Sequence, residues 1–220
     1  MQSKYGSAAA VAFVSVALVM AAARQSALAS ASVSPDKQWE YQCVDGLWSQ
    51  IVKPGATQFV VDLSNELSVP YCDNAEVLWT SDSKRFAFNH TPPRAPHSTY
   101  ETIALYQLRD DKWTALPLPV KESSDRAQLT QLAKGHLPKN AAQRRLWESS
   151  PLRDILKVRS WTDANTAILY AYAAWDRRGA RQLEAAFLFT LKLDAEGNGK
   201  IIETKQMSDK DLQQEAAEKQ

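Results

Sequence analysis

Glycine is scarce here, with seven in 220 residues. Phosphate-binding loops and dinucleotide folds need glycines where the backbone approaches a ligand or turns with positive φ. No such loop is present. No G-x-S-x-G elbow and no H-E-x-x-H pair occurs either, which removes the commonest serine-hydrolase and zinc-protease signatures. Histidine is limited to His90, His97 and His136. None belongs to a short-spaced ligand cluster, so the sequence offers no zinc site, no other metal site and no cofactor cradle. Cysteine is limited to Cys43 and Cys72. Beyond residue 23 there is no long apolar run, so nothing downstream is expected to span a membrane as a helix.

One apolar run is present, and it lies at the start. Lys4 precedes Ala8–Ala23, and Arg24 closes the run. Ala27-Leu28-Ala29 offers a small-x-small cleavage site, with Ala29-Ser30-Ala31 as a second. Residues 1–29 therefore read as a secretory signal peptide, and the run is short for a span. The expected destination is outside the cytoplasm, periplasmic or secreted. Residues 30–206 then form a single β-rich domain and 207–220 a charged tail, exposed as a short helix or frayed. An oxidising compartment favours a disulfide between Cys43 and Cys72. Two buried thiols that never meet are the alternative, since sequence does not give the Cα separation.

The formal net charge is only +1, so nucleic acid is not an expected partner. The charge is uneven, however. Residues 134–181 carry ten Lys/Arg against four Asp/Glu, a net of +6. Arg177, Arg178 and Arg181 end that stretch and could face a glycan or anionic polymer. A solvated helix and turns explain the same charges.

Period-2 alternation, rather than helical periodicity, dominates the domain. Trp39–Val44, Leu47–Val52 and Gln58–Leu63 read as strands separated by Asp45-Gly46 and Pro54-Gly55 turns. Val77–Trp79 and Arg85–Asn89 follow, then Tyr100–Leu108 and Trp113–Leu118 as a hairpin with Asp110-Asp111 at its tip. Residues 121–150 change character. Glu122–Leu132 is rich in helix formers, and Asn140 is placed to cap a second helix through about Glu148. Asp154–Trp161, Thr166–Ala174, Leu183–Leu193 and Lys200–Lys205 form another run of strands. The expected fold is mainly β: two antiparallel meanders, blade-like or arranged as two sheets, with a helical insertion at about 121–150 and a short C-terminal helix.

The stretch around which the chain is organised is Glu76–His90. Here Trp79 ends an apolar strand, Thr80-Ser81-Asp82-Ser83-Lys84 makes a polar turn, and Phe86 and Phe88 alternate with Arg85 and Ala87. VLWTSDSKRFAF resembles the core of the WD40-like repeats in TolB-type β-propellers. Ser34-Pro35-Asp36-Lys37-Gln38-Trp39-Glu40-Tyr41 is similar, and Trp161-Thr162-Asp163-Ala164-Asn165-Thr166 is a shorter third copy. The chain departs from the pattern at Ser81, where the family has proline, and in lacking a turn glycine. The turns begin about 46 and then about 82 residues apart, whereas a blade takes about 40–45 residues. The resemblance implies a propeller-like module that binds another exported or envelope protein without catalysis.

Candidate binding residues are Asn89, His90, Arg94 and His97, which flank or lie on the proline-rich Thr91–Thr99 loop, together with Arg177, Arg178 and Arg181. As loop residues the histidines read as solvent-facing; a hydrolytic role requires an Asp or Glu within hydrogen-bond reach. Asn89-His90-Thr91 also matches a glycosylation sequon, but Pro92 follows it. Three readings result: a non-catalytic protein-binding module, an envelope glycan or anionic-polymer binder, and a hydrolase.

Overall fold

The computed structural model describes residues 33–46, 48–64, 72, 75–91, 100–118, 139–148, 153–175 and 183–217. The expected leader, Arg94, His97, His136, the helix expected over Glu122–Leu132, and Arg177, Arg178 and Arg181 lie outside them. The chain is mainly β, as the alternation predicts. It forms a three-stranded antiparallel sheet and an eight-stranded one.

Sheet 1 is β1 (Glu40–Val44), β2 (Trp48–Val52) and β3 (Phe59–Asp62). Sheet 2 is the four-strand meander β4 (Glu76–Trp79), β5 (Arg85–His90), β6 (Tyr100–Arg109) and β7 (Lys112–Leu116). Sheet 3 is the meander β8 (Arg153–Asp163), β9 (Thr166–Trp175), β10 (Leu183–Leu193) and β11 (Gly199–Gln206). A short parallel contact, Tyr100 with Asp154 and Glu101 with Ile155, joins sheets 2 and 3 into the eight-stranded whole. The expected first meander is thus divided between two sheets, and sheet 2 is the middle layer.

The core explains this layering. Trp39, Ile51 and Leu63 of sheet 1 pack with Val77, Phe86, Phe88, Tyr106 and Trp113 on one face of sheet 2. On its opposite face, Ala87, Ile103 and Leu105 pack with Leu156, Val158, Leu169, Phe187 and Phe189 of sheet 3. A strand covered on both faces needs no polar side, and every residue of β5 is buried. The outer face of sheet 3 is covered differently. Tyr170, Ala186 and Met207 form a smaller cluster joined by Leu188 and Leu212. Leu212 belongs to α2 (Asp209–Ala217). Of the two alternatives for the C-terminal segment, the short helix is the one observed, and Met207 and Leu212 anchor it to the sheet. Ser208 caps α2, its Oγ accepting from Asp211 N–H at 3.2 Å while Ser208 N–H donates to Asp211 Oδ2 at 2.9 Å.

Within the expected insertion, α1 spans Ala141–Glu148. Asn140 Oδ1 accepts from Ala142 N–H at 2.9 Å, the cap that the sequence predicts. At the β6–β7 tip, Asp110 and Asp111 both take positive φ, 47° and 60°. That is the backbone of a tight two-residue hairpin turn, and Asp tolerates it better than most residues. Cys43 and Cys72 are bonded, with Cα atoms 5.7 Å apart. The bridge ties β1 to the connection between sheets 1 and 2.

Candidate functional site

The two similar turns are built alike, bond for bond. In the first, Ser34 Oγ donates to Asp36 Oδ1 at 2.6 Å and accepts from Trp39 N–H at 3.0 Å. Gln38 N–H donates to Asp36 Oδ1 at 3.0 Å. In the second, Thr80 Oγ1 donates to Asp82 Oδ1 at 2.7 Å and accepts from Arg85 N–H at 3.0 Å. Lys84 N–H donates to Asp82 Oδ1 at 3.0 Å. Lys37 and Ser83 occupy the same position, each with positive φ, 60° and 58°. A hydroxyl, a carboxylate two residues on and a residue tolerating positive φ are what the turn requires. The shorter third copy keeps only part of this pattern: Asp163 Oδ1 accepts from Asn165 N–H at 2.7 Å. Side by side, the first two turns touch, Asp36 N–H donating to Ser83 Oγ at 2.9 Å.

Two of the turn carboxylates, Asp36 and Asp163, are stabilised in the charged form. Burial is the largest single influence on Asp36 and pushes its pKa up. Hydrogen bonds from Ser34, Gln38 and Ser83 together outweigh it and leave the pKa below the ordinary value. Asp163 is lowered chiefly by the Asn165 N–H, then by Thr166, with a smaller contribution from the Lys192 charge.

Two of the turns follow the first strand of their sheet, β4 in sheet 2 and β8 in sheet 3; the 34–39 turn precedes β1, and Val33 before it is bridged to Glu40. These first strands converge on one groove of about 420 Å³. Its floor is the edge of β4, which no other described strand pairs. Val33 and Pro35 form one wall and residues 159–163 the other. The lining is largely apolar and aromatic, with Val77, Leu78, Trp79 and Trp161 central to it. Trp161 Nε1 donates to Leu78 O at 3.0 Å and fixes its own ring there. Glu76 and Asp163 stand at opposite ends, because β8 runs parallel to β4. The one cation in the lining, Arg159, is ion-paired with Glu215 of α2 at 3.0 Å.

Of the predicted site residues, Asn89 and His90 are described, and neither lines the groove. Asn89 is 3% exposed and joins two sheets. Its Oδ1 accepts from Val158 N–H at 2.9 Å and its Nδ2 donates to Val158 O at 2.9 Å. The side-chain amide thus stands in for a strand neighbour to β8. A buried amide so engaged is inaccessible as a glycan acceptor. His90 is also buried, at 1% exposure, and stacks on Phe88 with ring centroids 4.9 Å apart. The expectation of a solvent-facing loop histidine is corrected: His90 ends a strand whose two faces are both covered. It lines neither the groove nor the smaller cleft beneath α2. Among the described residues no three His, Cys, Asp or Glu side chains are grouped to hold a metal. No helix there is long and apolar enough to cross a membrane.

Sequence reasoning missed Arg85. It is 6% exposed, yet its Nη1 donates to Ala164 O at 2.8 Å and to Asn165 Oδ1, and its Nη2 to Asp194 O at 3.1 Å. Burial lowers its pKa, and the neighbouring Asp82 charge acts in the opposite direction. Gln107 and Arg109 reach the same region, both donating to Ala195 O, at 3.2 and 2.9 Å. Three side chains of sheet 2 therefore grip two turns of sheet 3. Comparison with protein-family models, with curated proteins and with solved structures finds no match.

Proposed function

We propose that this chain is an exported, non-catalytic binding module, an open arc of three propeller-type blades whose ligand seat is the β4 groove. The observation that carries the reading is the convergence of the first strands on one apolar, aromatic-lined groove. Binding sites are concave and mostly apolar, with few polar groups to orient the ligand, and the groove has that character. The repeated turn supports propeller ancestry, since the same hydroxyl–aspartate turn recurs before β1 of sheet 1 and after β4 of sheet 2. The Cys43–Cys72 bond is compatible with an oxidising, extracytoplasmic compartment.

The partner is expected to be another exported or envelope protein. Ser81 is exposed and lines the groove mouth, so Ser81→Trp fills the groove without touching the core. Affinity capture from the envelope and secreted fraction, with wild type and Ser81→Trp side by side, tests the reading. A protein retained by wild type and lost from the variant supports it. Equal retention by both would place the seat elsewhere. One observation favours a second reading: Trp161 and Arg159 share the groove, and an aromatic face beside a cation suits a sugar. Groove-dependent retention of polysaccharide alone would transfer the assignment to an envelope glycan or anionic polymer.

A further inference from the structure

We infer that the groove takes its partner as an extended segment added to the free edge of β4, apolar in its centre and carrying Lys or Arg at both ends. The inference rests on the groove being the ligand seat and names what sits in it.

The backbone accounting comes first. Thr80 N–H donates to Arg85 O, and Leu108 N–H donates to Lys84 O. Strand β5 therefore turns Arg85, Ala87 and Asn89 toward β4, and Lys84, Phe86 and Phe88 toward β6, because bonding direction alternates along an antiparallel strand. On β4, the residues opposite Ala87 and Asn89 are Leu78 and Glu76. The N–H and C=O groups of Val77 and Trp79 thus face away from β5, along the groove floor. An edge with such groups is a template for another strand.

Next comes what can reach that edge. A chain bonded to β4 lies in the plane of sheet 2, with sheet 1 on one side and sheet 3 on the other. Stacked sheets sit about 10 Å apart, room for one chain with its side chains between them. The sheet edge of a folded domain is too broad for that slot. Alternate side chains of the incoming segment point to Val33 and Pro35 or to Trp161, and both walls reward apolar groups.

Charge fixes the ends. Glu76 stands at one end of the groove and Asp163 at the other, and Arg159 is already paired with Glu215. Among the described residues Glu76 accepts an amide bond from Asn89, at 3.3 Å, which brings no countercharge. Both ends therefore favour a cationic residue over an acidic one.

The test uses the disulfide-bonded protein and the peptide acetyl-Lys-Val-Thr-Val-Thr-Lys-amide, followed by calorimetry and tryptophan fluorescence. Three sister peptides accompany it. One has Glu in place of both Lys; the other two are N-methylated, one at the amides of each edge. Methylation of the β4-facing edge should weaken binding at least about tenfold, and methylation of the opposite edge should not. The Glu-ended peptide should bind at least about tenfold more weakly, and the difference should shrink with salt. Equal affinity for both methylated forms would overturn strand addition, and equal affinity for Lys- and Glu-ended peptides would overturn the charge argument. If no peptide binds while capture still depends on Ser81, strand addition fails and the groove reading survives. If neither peptide binding nor capture responds to Ser81→Trp, both fail.

Discussion

Arg85 provides the most searching test of how the sheets are joined. Arg85→Met removes the guanidinium and keeps much of its aliphatic length. Three bonds from sheet 2 to sheet 3 disappear: those to Ala164 O, Asn165 Oδ1 and Asp194 O. A hydrogen bond to a charged group contributes about 1.5–3 kcal/mol. Two influences reduce the sum. The turns lie near solvent, so water can replace part of what is lost, and removing a buried charge relieves its desolvation cost. We expect a net loss of about 2–4 kcal/mol, or about 5–15 °C in Tm. Urea denaturation followed by tryptophan fluorescence reads it, with an unchanged m-value showing that the folded state is otherwise intact. Arg85→Lys should recover less than about half of the loss, since one ammonium does not reproduce the planar fork that serves both turns. A stability for Arg85→Met within about 0.5 kcal/mol of wild type would refute the reasoning.

Asn89→Ala should cost about 2–3 kcal/mol, because Val158 N–H is then left without its partner in the core; equilibrium unfolding measures it. Asn89→Asp should be similarly destabilised at neutral pH and partly restored in mild acid, where a protonated carboxyl can again donate to Val158 O. Replacing Cys43 and Cys72 by Ser should lower stability by about 3.5 kcal/mol on the chain-entropy model, for a bridge separated by 29 residues; calorimetry of the variant beside the oxidised wild type checks this. The aspartates Asp36, Asp163 and Asp194 all have folded pKa values below the ordinary one. Their contribution is therefore complete above the unfolded carboxylate pKa, near pH 4, and is lost as pH falls through the folded values. Tm should hold between about pH 5 and 7 and decline below about pH 4, and Asp36→Asn should flatten that decline.

Local chemistry made part of this fold legible. The turns at 34–39 and 80–85 announce themselves, because their hydroxyls and carboxylates bond backbone groups a few residues away. The same holds for the Asp110-Asp111 hairpin tip and the Asn140 cap. Period 2 correctly places Phe86 and Phe88 opposite Arg85 and Ala87. It does not reveal that both faces are buried, since that depends on sheet 2 lying between two others. Asn89 and Arg85 look like surface polar residues for the same reason. Their partners, Val158 and Ala164, lie 69 and 79 residues away along the chain. The groove was illegible on the same grounds: Pro35, Trp79 and Trp161 meet only after three sheets have packed.

The two joints of the stack differ in kind. Sheets 2 and 3 are held by directed bonds at both ends: Arg85, Gln107 and Arg109 at one, Asn89 and the short parallel pairing at the other. Sheets 1 and 2 meet through rings, with Trp39 edge-on to Trp113 at 5.6 Å and Tyr41 tilted against Phe88 at 6.1 Å. Among the described residues, the side-chain hydrogen bond between those two sheets is Ser83 to the Asp36 N–H. Ring contacts tolerate sliding; directed bonds do not. The groove consequently has two unlike jaws: the one carried by β8 is set by directed bonds on both sides, and the one carried by Val33 and Pro35 rests on ring packing and the Asp36–Ser83 contact.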